Sequence, residues 1–246
     1  MNRRARLFLI LFATLCSAAL CPSARAQPFP ARPIKLVVPF AAGGAADLFS
    51  RTLASGMSTE LGQQVFIEVH AGVGGLTGVD ATAKSPPDGY TLCFAGAAAL
   101  SAFPFMLSKM PFDKDLALLT IVVRVPEVVI VTPSLGVNTL QEFVAYARAN
   151  PGKINFGSAG AGSITHLGAE LLKSEAKINI AHVPYRGVGP AITDMLGGHI
   201  QMLVGDVPFM VPHIQSGAVK ALAVTSGKRA SALPTVPTTG RPAIPR

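Results

Sequence analysis

The sequence predicts an α/β fold built from two similar units, each a parallel sheet covered by helices. Three observations lead to this prediction. Short β-branched runs end in Gly-rich loops, a helical pattern follows each loop, and the whole order occurs once before about Val123 and again after it. Half of the 246 residues are hydrophobic and 14% are charged, so the chain can bury a large core.

The first 26 residues have the order of a secretory signal peptide. Residues 1–6 carry three arginines, residues 7–20 are apolar, and Ala24 and Ala26 place small side chains before Gln27. We therefore expect cleavage after Ala26 and a periplasmic protein. A membrane anchor is the alternative, but the apolar run is shorter than the about 20 residues that span a bilayer.

The first unit begins with a β-branched strand at residues 34–40. A Gly-rich loop follows at residues 41–47 and leads into an amphipathic helical pattern. Residues 65–69 and 91–95 read as two further strands, separated by a second Gly-rich turn and a short helix. Alternating strands and helices of this kind indicate a parallel sheet.

The second unit repeats the order after an apolar strand at residues 128–132. Thr139 can cap a helix at residues 140–149, with Glu142 three positions later as in a capping box. A strand at residues 153–156, a Gly-rich loop at 157–163 and a helix at 165–174 follow.

The rest of the chain adds a helix at residues 191–196, a strand ending at Asp206 and a strand at 219–225. Residues 233–246 are Pro-rich without periodicity, and we expect them to be unpacked. The predicted organisation is a signal peptide at 1–26, a first lobe at 27–127, a second lobe at 128–222, and a return segment and tail at 223–246.

The two Gly-rich loops are the candidate ligand-binding elements. Each joins a strand end to a helix start, a geometry that we expect to leave backbone N–H groups unpaired and outward-facing at the positive end of the helix dipole. Such a site suits a carboxylate or a phosphate. Ligands of open α/β sheets bind at the carboxyl ends of strands, so two loops suggest a cleft with two anion-binding walls.

Other classes of site are poorly supported. The loop at 157–163 lacks the Gly-x-Gly-x-x-Gly spacing of dinucleotide sites, and neither a Walker loop nor a Gly-x-Ser-x-Gly elbow occurs. His, Cys and carboxylates do not cluster with metal-ligand spacing, so we expect no metal and no cofactor. The formal charge is +8, half of it from four arginines before Gln27, and the other bases are scattered, which argues against nucleic acid.

Several single residues have two interpretations. Asp47 can favour the dipole of its helix or contact a ligand, and Arg186 can pair with an anion or be solvated. Asp206, at a strand end, is the better candidate for facing a cleft. An enzyme acting on a carboxylate is the rival hypothesis, and it would have only His166 and Asp206 as a base or nucleophile. Cys93 is interpreted as a small buried residue.

Seven motifs in order resemble the Bug, or tripartite tricarboxylate transporter, substrate-binding proteins. They are residues 32–47, 87–92, 150–153, 157–167, 182–187, 194–198 and 221–226. The resemblance implies a periplasmic-binding-protein-like fold of type II, in which two Rossmann-like lobes joined by crossing strands close on a small carboxylate. Di- and tricarboxylates, acidic amino acids and aromatic acids are the ligand classes implied. It also implies a monomer without catalytic residues and a membrane permease as partner.

In that family, loop amides and waters hold the carboxylate. The matched loops are here residues 40–44 and 158–166, and Asp206 would face the variable end of the ligand. The expected ligand-binding residues are Phe40, Ala41, Ala42, Gly43, Gly44, Asp47, Ser158, Ala159, Gly160, Gly162, Ser163, Thr165, His166 and Asp206.

The sequence departs from the family pattern in two places. Residues 69–72 read Val-His-Ala-Gly where the family often has an Asn-Arg-Pro-Gly-like turn. After Pro234 the family continues with a segment that completes the first lobe, and this chain does not. We therefore expect exposed apolar surface on the first lobe, and a non-functional, truncated family member is a third hypothesis.

Overall fold

A computed structural model describes residues 28–108 and 115–240. The predicted signal peptide and the last six residues of the predicted tail lie outside these ranges. By its internal contacts the chain divides between Ala31 and Arg32, and the fold described below belongs to the unit that begins at Arg32. Within the described ranges, no helix combines the length and the apolar character needed to cross a membrane.

The first sheet has three parallel strands. β1 (Ile34–Val38) lies between β2 (Val65–Val69) and β3 (Thr91–Cys93). The helices α1 (Ala45–Leu61) and α2 (Leu76–Ala83) form the crossovers, because parallel neighbours cannot be joined by a tight turn. The sheet and its helices, together with the short helices α3 (Ala97–Ser101) and α4 (Phe103–Met106), are called the first lobe.

The second sheet has five strands. They are β4 (Glu127–Val131), β5 (Asn155–Ser158), β6 (Ala181–Pro184), β7 (Met202–Asp206) and β8 (Lys220–Val224), in the spatial order β6-β5-β7-β4-β8. The expectation of an all-parallel sheet is wrong here. β4 runs antiparallel to both β7 and β8, because this strand enters from the first lobe and inserts between two strands that run the other way.

Four helices cover the second sheet, and we call this assembly the second lobe. They are α5 (Leu140–Ala149), α6 (Ile164–Ala176), α7 (Val188–Leu196) and α8 (Val207–Gln215). The predicted cap of α5 is confirmed, since Thr139 Oγ1 accepts a hydrogen bond from Glu142 N at 3.1 Å. α7 begins three residues earlier than predicted, because Pro190 falls in its first turn, where proline is tolerated.

The second lobe holds most of the buried core. Phe143, Ile154 and Phe156 are buried on one face of its sheet, and Ile200 and Leu203 belong to a separate cluster. The first lobe is covered less well. Leu118 and Leu119 are about three quarters exposed, and Phe105 is 91% exposed. These three side chains leave apolar surface exposed at α4 and in the segment between α4 and β4.

The prediction that residues 233–246 are unpacked is wrong for the described part of that segment. Leu233 and Val236 are only 5% and 8% exposed and pack into the second lobe's core beside Val224. Val224 N donates to Pro237 O at 2.8 Å and Thr239 N donates to Val224 O at 2.9 Å. The segment is held by two apolar side chains three residues apart and by one short backbone bridge. Neither feature requires a regular alternation of apolar residues, so the sequence did not predict this packing.

Replacing Leu233 tests this packing. We expect Leu233→Ala to lower the free energy of unfolding by about 2–4 kcal/mol, because a buried leucine leaves a cavity. The matched control is Leu171→Ala on α6, whose side chain is 62% exposed and which should change stability by less than about 0.5 kcal/mol. Urea unfolding followed by circular dichroism measures both. Equal effects of the two substitutions would show that the segment is not packed in solution.

Candidate ligand-binding site

The first Gly-rich loop leaves the start of α1 uncapped. Its N-cap residue is Gly44, which has no side chain to accept a hydrogen bond from the first helical turn. The backbone N–H groups of Ala45 and Ala46 therefore have no capping partner among the described residues. Gly44, Ala45 and Ala46 all line one cavity, so the positive end of a 17-residue helix faces it.

A second uncapped helix start lies beside the first. α7 begins after Gly187, which again provides no side-chain cap, and Val188 at its first position lines the same cavity. A Cβ atom built on Gly44 would lie 3.3 Å from Gly189 N and 3.8 Å from Val188 N. The two helix N-termini thus meet at one wall, and together they form the strongest anion-binding geometry of the described residues.

The second Gly-rich loop is different, because its own side chains occupy its amides. Ala159 N donates to Thr165 Oγ1 at 2.9 Å, Gly160 N to Ser158 Oγ at 3.1 Å, and Gly162 N to His166 Nδ1 at 3.2 Å. The expectation of unpaired, outward-facing amides is therefore wrong for these three residues. Ser163 also caps α6, accepting a hydrogen bond from His166 N at 3.3 Å.

Two stacked histidines support this loop from behind. The rings of His166 and His182 lie 4.0 Å apart, and Phe156 stacks on His182 at 4.9 Å. Burial lowers the pKa of both histidines, and the neighbouring His166 adds to the effect on His182, whose pKa falls to about 4. Both rings are therefore neutral at pH 7. His166 orients the loop and is not at the cavity wall.

Asp47 also acts on its own loop. Its Oδ2 accepts a hydrogen bond from Gly43 N at 3.0 Å, and Oδ1 lies 2.9 Å from Arg51 Nε, an ion pair without hydrogen-bond alignment. Burial acts to raise the pKa of Asp47, but the contacts with Gly43 and Arg51 outweigh it and the pKa is lowered. These contacts favour a structural role for Asp47 in its own loop and helix over direct contact with a ligand.

The cavity has a volume of about 1330 Å³ and is lined by both lobes. Half of the predicted ligand-binding residues line it: Phe40, Ala41, Gly44, Ala159, Ser163, Thr165 and Asp206. The other half lie behind these or beside them: Ala42, Gly43, Asp47, Ser158, Gly160, Gly162 and His166. The structure thus brings both predicted loops to one site.

The lobes touch through backbone at the edge of this cavity. Ala41 N donates to Arg186 O at 2.8 Å. A Cβ atom on Gly189 would lie 2.6 Å from Gly43 O, and one on Gly74 would lie 2.4 Å from Ala161 O. Real Cβ atoms do not approach this closely, so glycine is required at both places. We call these two approaches the interlobe glycine contact.

Glu127 is an acidic cavity residue that sequence reasoning missed. It lies in β4 directly opposite Asp206 in β7, and both line the cavity. Glu127 is 8% exposed, and its Oε2 is buried without a hydrogen-bond partner among the described residues. Burial and the charge of Asp206 hold the pKa of Glu127 well above its ordinary value, and burial raises that of Asp206. The available signal was one carboxylate opening an otherwise apolar strand.

Metal and thiol chemistry find little support in residues 28–108 and 115–240. No group of three His, Cys, Asp or Glu side chains there is placed to hold a metal ion. Burial raises the pKa of the Cys93 thiol to about 11, so this side chain is protonated and unreactive at neutral pH.

Two α/β lobes that line one cavity containing uncapped helix starts are the architecture of a solute-binding protein. Residues 49–244 match the family described as tripartite tricarboxylate transporter family receptor. The chain belongs to this family, as the sequence motifs implied.

Relatives and solved structures agree with the assignment. Protein BugT of Bordetella pertussis is 36% identical over 236 residues, which are 95% of this chain and 72% of BugT. The structure of Rpa4515 of R. palustris with adipate is 31% identical, with a TM-score of 0.82 over 88% of this chain and 73% of that one. MatC of Rhodopseudomonas palustris with bound malate is 30% identical, with a TM-score of 0.80 over 88% and 74%.

The interlobe glycine contact can be tested with a matched pair of glycines. Gly74 and Gly62 have similar positive φ angles, +60° and +64°, but a Cβ on Gly62 meets nothing within 4 Å. Both Gly→Ala variants should lose about 1 kcal/mol to backbone strain. Only Gly74→Ala should also separate the lobes and speed hydrogen exchange several-fold at residues 157–163. Equal exchange in the two variants would contradict the contact.

The ionisable carboxyl group of Glu127 should reduce the free energy of unfolding at neutral pH. Its folded-state pKa lies above the ordinary 4.5, so the unfolded chain ionises first and stability is lost as the pH rises above about 4.5. We expect Glu127→Gln to raise the free energy of unfolding at pH 7 by about 1–3 kcal/mol, and to have no effect below pH 4. Glu175→Gln, on the exposed face of α6, is the control for lost charge. A destabilised Glu127→Gln protein at pH 7 would contradict the expectation.

Proposed function

We propose that this chain captures a small carboxylate in the periplasm, between its two lobes, for uptake or sensing. The observation that carries the proposal is the meeting of two uncapped helix N-termini, those of α1 and α7, at one cavity wall. A carboxylate placed there would accept hydrogen bonds from amides that have no partner among the described residues. It would also lie at the positive ends of two helix dipoles.

The rest of the wall fits a ligand with one anionic end and an organic body. Phe40, Ala159 and Val188 are apolar lining residues, while Ser163 and Thr165 contribute hydroxyl groups already bonded to the loop. Small-molecule sites are commonly built in this way, from a mostly apolar wall and a few fixed polar groups. The ligands of two similar structures, adipate and malate, are small carboxylates.

The proposal includes location and partners. Residues 1–26 would direct export and be removed after Ala26, leaving a monomer with lobes at about 27–127 and 128–222 and a return segment at 223–246. A tripartite tricarboxylate permease would receive the ligand. The family and the order of charged, apolar and small residues at the N-terminus support this assignment.

A thermal-shift screen tests capture directly. Purified protein would be heated with adipate, malate, succinate or citrate, and with uncharged adipamide as the control for the carboxylate. A ligand that binds only the folded state at 100 times its Kd should add about 2.7 kcal/mol of stability. We therefore expect at least one acid to raise the melting temperature by several degrees and adipamide to leave it unchanged. A folded protein that no carboxylate stabilises would contradict the proposal.

The position of the carboxylate can be tested with two glycines of α1 and its cap. Gly44→Ala would place a methyl group 3.3 Å from Gly189 N, inside the proposed anion site. We expect a loss of about tenfold or more in affinity, measured by calorimetry. Gly56→Ala, where the added methyl meets nothing within 4 Å, should bind as the unmodified protein does. Equal affinities in both variants would place the carboxylate elsewhere.

A further inference from the structure

We infer that Glu127 and Asp206 form a binding site for a protonated amine, so that the protein prefers small amino acids to carboxylates that lack an amine. The inference rests on the proposed function, because it concerns the second end of a ligand whose carboxylate is held by α1 and α7.

The backbone places the two carboxyl groups together. Glu127 and Asp206 are register partners in the antiparallel pair β4 and β7, so both project from the same face of the sheet. Side chains directly opposite each other in such a pair have Cβ atoms about 4.5–5.5 Å apart. Both residues line the cavity that also contains Gly44 and Val188, so a ligand held at the helix N-termini shares its space with the acid pair.

In residues 28–108 and 115–240 the pair has no cationic partner. None of the ion pairs found in the described ranges includes Glu127 or Asp206, and Glu127 Oε2 is buried with no donor. Arg124, which also lines the cavity, is exposed and makes no ion pair with either group. A buried carboxyl oxygen without a partner, as on Glu127, is costly for the folded protein, and Asp206 beside it is half-buried. A group retained at such a cost points to a cationic ligand.

The electrostatic surroundings favour a state in which only one of the two carboxyl groups is ionised. Asp206 is the N-cap residue of α8, so the positive end of that helix stabilises its carboxylate. Glu127 has no such support, and it keeps the proton that the two groups can hold between them. The raised pKa of Glu127, caused by burial and by the charge of Asp206, agrees with this division.

An ammonium group completes this arrangement. It carries three N–H donors, enough for Asp206 and for the unpartnered Oε2 of Glu127, and its charge allows Glu127 to release its proton. An amine-free acid would leave the carboxyl pair without a donor, and a second carboxylate there would be repelled. Amine binding should therefore release protons, and affinity for amino acids should rise as the pH rises above the ordinary glutamate pKa of 4.5.

Matched pairs of acids test the preference. Calorimetry would compare aspartate with succinate, glutamate with glutarate, 4-aminobutyrate with butyrate, and phenylalanine with 3-phenylpropionate. We expect the amino acid of at least one pair to bind tenfold tighter or more. Repeating that titration in buffers of different ionisation enthalpy should show proton release for the amino acid only.

Substitution of Glu127 identifies the residue responsible. Glu127→Gln keeps the shape and removes the acid, so the tenfold preference within the matched pair and the proton release should both be lost. Glu175→Gln, on the surface of α6, should keep the preference. Circular dichroism would verify that both variants are folded.

The outcomes separate this inference from the proposed function. Tighter binding of the amine-free member, or an unchanged preference in Glu127→Gln, would overturn the amine site while leaving carboxylate capture in place. A folded protein that binds no member of any pair and none of the acids in the thermal-shift screen would overturn both.

Discussion

The close approach of backbone to backbone between the lobes is the constraint on which the site depends. Gly43 meets Gly189, and Gly74 meets Ala161, at separations that leave no room for a Cβ atom. These approaches bring the N-termini of α1 and α7 to one wall and place the second Gly-rich loop beside them. A cavity that residues of both lobes line follows from this docking.

The number of unpaired amides distinguishes the two Gly-rich loops as candidate anion sites. Both Gly-rich loops have the same appearance in the sequence, yet the loop before α6 bonds its amides to Ser158, Thr165 and His166. The loop before α1 and the turn before α7 each begin their helix with a glycine, which has no side chain to offer. A cap residue thus satisfies one helix start, and its absence leaves the other two available to a ligand.

Much of the fold was predictable from the sequence, and the reasons for the failures are physical. Strand runs, Gly-rich loops and the Thr139 cap are local patterns, and the structure confirms them. The antiparallel insertion of β4 and the packing of Leu233 depend on contacts distant in sequence. For the same reason Glu127 escaped notice, since only the register between β4 and β7 places it opposite Asp206. Which of the predicted ligand-binding residues touch a ligand stays a prediction.

The interlobe glycine contact also has a consequence for binding thermodynamics. Its partners are backbone atoms, which make the same contacts whatever molecule occupies the cavity, so weakening the contact would lower the fraction of molecules that hold the two lobes in the described arrangement. Apparent affinity is the intrinsic affinity scaled by that fraction. A change at Gly74 would therefore weaken the binding of all ligands by one common factor, whereas a change in the cavity wall would alter their order of preference. Substitutions in the cavity wall can thus change the preferred ligand while the interlobe glycine contact stays the same.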